Sequence, residues 1–157
     1  MAIAPLPESP EYRLLEPLIR GRAAIEERDP LRALMMGVAY PMKGFSSLLM
    51  GVDPGVRACG VAAIADGLIF EAESVQCDRV GGLARRLVDS VPAESVRVVL
   101  GSGTGWEAAA RSLLDEGLEF SIADEFGTSR ARALPLEFRD RNVRAAVSLA
   151  LSAFNVG

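Results

Sequence analysis

The stretch LLMGVDPGVRACGV, residues 48–61, decides how the rest of the chain is interpreted. An apolar run ends in the acidic Asp53, and Pro54-Gly55 directly after it forces a turn. This pattern predicts a buried strand that carries one carboxylate at its end. Burying a carboxylate without a partner is costly or raises its pKa, so Asp53 requires a cation, a hydrogen-bond donor or water. The simpler alternative is that Asp53 only caps the Pro-Gly turn.

Predicted strands and helices follow this stretch in a regular order. A second strand spans 59–65, and Asp66-Gly67 is typical of a hairpin turn leading to a third strand at 68–75. One-sided apolar patterns predict three helices, the first capped by Asp78, the others at 106–117 and 139–154. Strands at 95–100 and 118–123 separate these helices. Three one-sided helices over one mixed sheet make an α/β fold.

The predicted hairpin has one fully apolar face. With a two-residue turn, its apolar side would hold Cys59, Val61, Ala63 and Ala65 beside Leu68, Phe70 and Ala72. Glu71 and Glu73 would then point the other way, and Cys59 would belong to the core.

Length and composition indicate one globular domain with an extension. The chain has 157 residues, half of them hydrophobic. Ser9-Pro10 and Asp29-Pro30 are typical helix starts, so we expect an N-terminal helical extension at 1–47, irregular near its end, and a folded domain at 48–157. The chain shows neither a membrane-spanning apolar run nor a signal-peptide pattern, which predicts a cytoplasmic protein with no membrane partner.

The residue types limit the possible chemistry. Two cysteines, Cys59 and Cys77, make neither a disulfide framework nor a zinc site, and the absence of histidine excludes imidazole catalysis. Any metal site must use carboxylates, which favours Mg²⁺ or Mn²⁺. A net charge of −4 argues against nonspecific coating of nucleic acid. Five arginines between 130 and 144 nevertheless give a local positive excess, either a solvated face or a set of phosphate contacts.

Three acidic positions are predicted to converge at one edge of the sheet. Asp53 ends the first predicted strand, Asp124 and Glu125 end the fifth, and Asp140 lies at the start of the last helix. The carboxyl ends of parallel strands meet at the edge where ligands usually bind. Such acids repel one another unless divalent ions lie between them, and two such ions support in-line attack of water on a phosphodiester.

The glycine-rich loop at 101–105 allows more than one interpretation. Its place between a strand and a helix is similar to a dinucleotide-binding turn, but Trp106 occupies the position of the third glycine. The alternative is that the loop presents backbone amides at a helix N-terminus, either to a phosphate backbone or to water.

Four segments carry a resemblance to a known family. MGVDPGVRACGVAAIADG (50–67), VRVVLG (96–101), ADEFGTSRARA (123–133) and RNVRAAVSLAL (141–151) resemble, in the same order, elements of the RuvC/YqgF-like branch of the ribonuclease-H-like superfamily, which includes Holliday-junction resolvases. The resemblance implies a five-stranded sheet of order 3-2-1-4-5 with an antiparallel second strand. It also implies acids that bind Mg²⁺ or Mn²⁺ and a nucleic-acid substrate.

The resemblance assigns roles to individual residues. Asp53 matches the first-strand metal ligand and Glu125 the fifth-strand acid, with Asp124 beside it, while Thr128 and Ser129 match a pair of hydroxyl residues. Two positions depart from the pattern.

The first departure is Asn142, which occupies the place of the closing acid. The second is Phe126, which replaces an arginine. Either Asp140 substitutes for the missing acid, or the site is weakened, since an amide binds a hard cation less strongly than a carboxylate.

The leading hypothesis is a metal-dependent endonuclease that cuts structured or branched nucleic acid, a DNA junction or RNA. Asp53 and Glu125 would hold the ion, with Asp140 or Asn142 completing the site, and a homodimer would allow symmetric cutting. The arginines expected to position the substrate are Arg57, Arg130, Arg132, Arg139 and Arg141. One alternative is a catalytically weak module that binds nucleic acid or a protein partner. Another is half of an actin-like sugar kinase or ATPase.

Overall fold

Two short strands lie near the N-terminus of the structure, a computed structural model that describes residues 2–4, 24–26, 44–123 and 139–153. These strands, β1 (Ala2–Ala4) and β2 (Ala24–Glu26), pair in parallel. The sequence pattern predicts helices in this part of the chain and gives no sign of either strand, because three residues are too few to show a period. The predicted helices at Ser9-Pro10 and Asp29-Pro30 lie outside the described residues.

The main sheet has five strands around a central strand, β3 (Phe45–Asp53). Its order is β5 (Leu68–Val75), β4 (Cys59–Ala65), β3, β6 (Ala93–Gly101) and β7 (Ser121–Ala123). β4 is antiparallel to both of its neighbours, whereas β6 is parallel to β3 and β7 is parallel to β6. The predicted fold class is therefore confirmed: an α/β protein with a 3-2-1-4-5 mixed sheet and an antiparallel second strand.

Helices cover both faces of this sheet. After a 3-10 turn at Cys77–Arg79, the helices are α1 (Val80–Ser90), α2 (Trp106–Asp115) and α3 (Arg141–Ser152). Alternate residues of β3 face opposite sides, so Leu48, Met50 and Val52 pack with α1 and α2, while Leu49 packs with α3. None of the helices in the described ranges has the length and apolar character needed to cross a bilayer.

The α3 helix lies directly against the backbone of β3 and β4. A Cβ atom at Gly51 would overlap the carbonyl oxygen of Ala146, and one at Gly60 would overlap that of Asn142. Only glycine fits at either position, because no side chain can be placed between the two backbones. This contact fixes the start of α3 beside the end of β3.

The hairpin turn at Asp66-Gly67 is confirmed. Both residues have positive φ, 45° and 87°, as a two-residue hairpin turn of this type requires. The Asp66 carboxylate accepts hydrogen bonds from the amides of Ser46 (2.8 Å) and Ser47 (2.9 Å), and the first of these is the main reason that its pKa is lowered. The turn is thereby attached to the beginning of β3.

The prediction that Glu71 and Glu73 point away from the face of Val61 and Ala63 is wrong. A bulge between Ala63 and Ile64 shifts the register, so Ala63 pairs with Glu71 and Val61 pairs with Glu73. Paired residues share a face, which places both glutamates on the side of Val61 and Ala63. The alternation rule failed because a bulge adds one residue to one strand and reverses the faces beyond it.

Cys59 and Cys77 are joined by a disulfide, which corrects the prediction that the cysteines form no such framework. Their Cα atoms are 5.1 Å apart and the residues are 18 positions apart in sequence. The hairpin creates this proximity, since Cys59 pairs with Val75, two residues before Cys77. Cys59 is fully buried in the core, as predicted. A cross-link over a loop of this length stabilises a fold by about 3 kcal/mol.

Ser112, and not Asp78, holds the start of α1. The predicted Asp78 cap is wrong, because Asp78 lies inside the 3-10 turn and the N-cap position of α1 is occupied by Arg79. The Ser112 hydroxyl of α2 donates to the Asp78 carbonyl (2.7 Å) and accepts from the amide of Gly81 (2.9 Å). A cap supplied by another helix leaves no local pattern in the sequence.

We expect Ser112→Ala to lower the free energy of unfolding by about 2 kcal/mol, because the buried Gly81 amide loses its acceptor. Urea denaturation measures this loss. The matched control is Ser148→Ala, whose hydroxyl donates only to Arg144 within α3, with an expected change below about 0.5 kcal/mol. Equal losses in the two variants would contradict the role given to Ser112.

Candidate functional site

Asp53 is the last residue of β3 and pairs with Gly60 of β4. Its side chain is half-buried, and burial raises its pKa to about 6, while Arg141 lowers that pKa and Asp140 raises it further. Among the described residues, no hydrogen bond from the Pro-Gly turn is a cause of this pKa shift. The alternative that Asp53 only caps that turn is therefore not supported. The carboxylate is therefore partly desolvated and lies close to one cation and one other acid.

Asp140 is the N-cap of α3. Its Oδ1 atom accepts hydrogen bonds from the amides of Asn142 (2.8 Å) and Val143 (3.4 Å), which places the carboxylate at the positive end of the helix. Because α3 lies against β3 and β4, this helix start is near the end of β3. The structure thus brings Asp53 and Asp140 together at the predicted edge and places Arg141, predicted as a substrate-binding arginine, beside them.

Asn142 has a structural role that its sequence position did not reveal. Its Nδ2 atom donates to the carbonyl of Ala58 (3.1 Å), and a Cβ at Gly55 would lie only 2.5 Å from the same Nδ2. The side chain therefore fastens the loop at 54–58, which follows Asp53. An aspartate at this position has no proton to donate when ionised and would repel the carbonyl, so the amide is suited to this contact.

The glycine-rich loop packs against the turn that follows Asp53. A Cβ at Gly103 would lie 2.9 Å from the Pro54 carbonyl oxygen, and one at Gly105 would lie 3.0 Å from that of Gly55. Gly105 also has φ of +91°, which favours glycine. These contacts between two backbones account for both glycines without a bound dinucleotide.

Three exposed arginines lie close in sequence to the two acids. Arg57 lies at the tip of the 54–58 loop, and Arg139 and Arg141 flank Asp140; all three are exposed. The other predicted site residues lie outside the described residues: Asp124, Glu125, Thr128, Ser129, Arg130 and Arg132.

The carboxyl ends of three parallel strands meet at the Asp53 edge. Val52 is level with Leu100, and Gly101 is level with Ala123, so β3, β6 and β7 end side by side. The chain leaves β7 at Ala123, directly before Asp124 and Glu125. This register agrees with the predicted edge as far as Ala123.

The donor atoms near Asp53 suit a hard divalent cation. Asp53 and Asp140 supply carboxylates, and carboxylate oxygens are what Mg²⁺ and Mn²⁺ prefer. In the described part of the chain, no group of three or more acids, cysteines or histidines could hold a metal ion. Two carboxylates are nevertheless enough for Mg²⁺, which usually keeps several waters and binds substrate phosphates.

A separate cavity of about 520 Å³ lies between β6, β7 and the end of α3. Its lining includes Arg97, Phe120, Ile122 and Ala153, but neither Asp53 nor Asp140. Its lining does reach Ala123, the last residue of β7.

Comparison with solved structures supports the fold. The chain is similar to T. thermophilus RuvC in complex with Holliday junction substrate, with a TM-score of 0.50 and 17% sequence identity. The similarity covers 69% of this chain and 93% of the RuvC chain. No protein-family model and no curated protein sequence matches this chain. At this level of identity, the likeness shows a ribonuclease-H-like fold.

The raised pKa of Asp53 predicts a pH-dependent cost in stability. Between pH 4 and pH 6 the folded state holds a proton that the unfolded state has released, so ionised Asp53 destabilises the fold above pH 6. Allowing for solvent screening of a half-exposed group, this cost is roughly 1–2 kcal/mol.

We therefore expect Asp53→Asn, without added metal, to gain roughly 1–2 kcal/mol over wild type as pH rises from 4 to 7.5. Urea denaturation of both proteins at the two pH values measures the gain. The control Asp115→Asn removes an exposed carboxylate at the end of α2 and should show no such gain. A difference between Asp53→Asn and wild type that does not change with pH would contradict the argument.

Proposed function

We propose that this protein is a metal-dependent endonuclease of the RuvC/YqgF-like branch that cuts structured or branched nucleic acid. The observation that carries the proposal is Asp53, a half-buried acid at the carboxyl end of the central strand with the charge of Asp140 beside it. Burial and the charge of Asp140 raise the pKa of Asp53 even with Arg141 nearby, and a bound divalent cation would offset both effects. The fold shared with a resolvase bound to its junction supports nucleic acid as the substrate.

Asp53, Asp140 and the predicted Glu125 would hold Mg²⁺ or Mn²⁺ in this proposal, with Asp124 next to them. The bound ion would polarise a phosphate oxygen and activate water for attack on the phosphodiester. Asp140 keeps its place through its hydrogen bonds to the first turn of α3. Asn142 keeps the loop after Asp53 in place by donating to Ala58, so it supports the site without supplying a charge.

The exposed arginines would bind the phosphate backbone. Arg57 follows Asp53 on the 54–58 loop, Arg139 and Arg141 flank Asp140 in the chain, and guanidinium recognises phosphate through paired hydrogen bonds. Thr128, Ser129, Arg130 and Arg132 are assigned the same role by the resemblance alone. A homodimer and a cytoplasmic location also belong to the proposal.

A second function is favoured by the contact that Asn142 makes. Asn142 occupies the position of the closing acid in the family that the sequence resembles. Because its Nδ2 atom donates to the Ala58 carbonyl, it binds the protein backbone and adds no negative charge. A module with fewer acids than an active nuclease would bind nucleic acid or a protein partner without cutting. The cleavage experiment separates the two functions.

We expect Mn²⁺, at about one hundred times its dissociation constant, to stabilise wild type by about 2.7 kcal/mol. For a chain of this length the melting temperature should rise by roughly 5–10 °C. Asp53→Asn should lose the rise, while Asp115→Asn, which removes an exposed acid elsewhere, should keep it.

The same three proteins are then incubated with a four-way junction, a duplex and single strands of DNA and RNA. Cleavage of the junction by wild type and Asp115→Asn, but not by Asp53→Asn, supports the nuclease. Metal-independent binding without cleavage by all three proteins supports the non-cutting module. Undiminished cleavage by Asp53→Asn would rule out the proposed site.

We expect Arg141→Gln to weaken binding to a four-way junction and to reduce the slope of log affinity against log salt by about one. The physical reason is the loss of one phosphate contact and of the counterions it releases. Fluorescence anisotropy over a salt series measures both quantities. Arg111→Gln, which removes an exposed arginine of α2, should change neither the affinity nor the slope.

A further inference from the structure

The Cys59–Cys77 disulfide lies directly behind the loop that follows Asp53. Cys59 begins β4, immediately after the 54–58 loop, and its neighbour Gly60 pairs with Asp53. On the other side of the bond, Cys77 Sγ lies 3.9 Å from the carbonyl oxygen of Gly55 within that loop. One covalent bond therefore contacts the loop near its start, at Gly55, and joins the chain directly after its end, at Cys59.

The disulfide also joins the loop to the helical layer. Cys77 begins the 3-10 turn before α1, and Ser112 of α2 holds that turn through the Asp78 carbonyl. A Cβ at Gly105 would lie 3.9 Å from Cys77 Sγ, so the glycine-rich loop packs against the same sulfur. Reducing the bond would remove the covalent link between the start of β4 and the start of this helical layer.

The two sulfurs differ in their exposure. Cys59 is fully buried, whereas Cys77 is partly exposed and has the exposed residues Gln76 and Asp78 as its chain neighbours. Cys77 is therefore the cysteine at which a thiolate from solvent would attack. Disulfides with an exposed cysteine are more readily reduced than buried ones and include the regulatory ones.

We propose that the Cys59–Cys77 disulfide is a reducible brace that holds the 54–58 loop and thereby regulates cation binding at Asp53. The regulatory part rests on the proposed metal site, whereas the mechanical part does not. The reductant is a dithiol. Its thiolate attacks Cys77 Sγ, which forms a mixed disulfide and releases Cys59 as a thiolate that takes up a proton.

The second thiol of the reductant completes the exchange. It attacks the reductant sulfur of the mixed disulfide, closes the reductant's own disulfide and releases the Cys77 thiol. The dithiol loses two electrons and the protein disulfide gains them. Without the bond, the loop keeps the Asn142 contact to Ala58 but loses the covalent link at Cys59.

The test compares the full chain before and after treatment with dithiothreitol, with alkylation and mass measurement to count free thiols. Hydrogen exchange is followed in the peptide covering 54–58 and in the peptide covering the hairpin turn at 66–67. We expect two alkylated cysteines, about tenfold faster exchange in the first peptide and unchanged exchange in the second. The apparent Mn²⁺ affinity, measured by thermal melting, should fall about fivefold.

Cys77→Ser is the matched variant, because it removes the bond at the partly exposed position. It should behave as the reduced protein does and should not respond to dithiothreitol. If this variant fails to fold, reoxidation of the reduced wild type provides the second measurement and should restore slow exchange.

The outcomes separate the brace from the metal site. Faster exchange in 54–58 with no Mn²⁺ stabilisation of either form supports the mechanical brace and rejects the metal site. Equal Mn²⁺ stabilisation of both forms with unchanged exchange rejects the brace and leaves the metal site intact. A disulfide that resists dithiothreitol in the folded protein overturns the proposal that it is reducible.

Discussion

The contact between the backbone of α3 and the backbones of β3 and β4 is the constraint on which the site depends. At Gly51 and Gly60 no side chain separates the helix backbone from the strand backbone, so α3 lies close to the sheet at these two points. Asp140, Arg141 and Asn142 belong to the start of this helix, and their positions follow from that contact. Any side chain at Gly60 would push the helix start away from Asp53.

The ionised form of Asp53 lowers the free energy of unfolding. Burial and the neighbouring Asp140 both disfavour the ionised form of Asp53, and Arg141 offsets only part of this effect. A fold under selection for stability alone would place an amide or an apolar residue there. Retaining an acid whose ionised form costs stability is typical of functional sites.

Local patterns predicted much of the fold, because alternation, helical periodicity and the Asp-Gly turn depend on nearby residues. The order of strands and helices, the buried strand ending in Asp53 and the hairpin at Asp66-Gly67 follow from such patterns. Features that depend on distant residues were missed. The Cys59–Cys77 bond requires the hairpin to form first, and the bond from Asn142 to Ala58 crosses 84 positions in the chain.

Asp66 binds the start of β3, and this contact affects the orientation of Asp53 at the other end of β3. Its carboxylate accepts hydrogen bonds from the amides of Ser46 and Ser47, and its own amide donates to the Ser47 carbonyl. These bonds oppose a shift in the register of β3 against β4. A slip of one residue would turn every β3 side chain to the opposite face of the sheet. The Asp66 carboxylate lies about 20 Å from Asp53, a distance of six strand residues. It therefore helps to set the face of the sheet on which the Asp53 side chain lies.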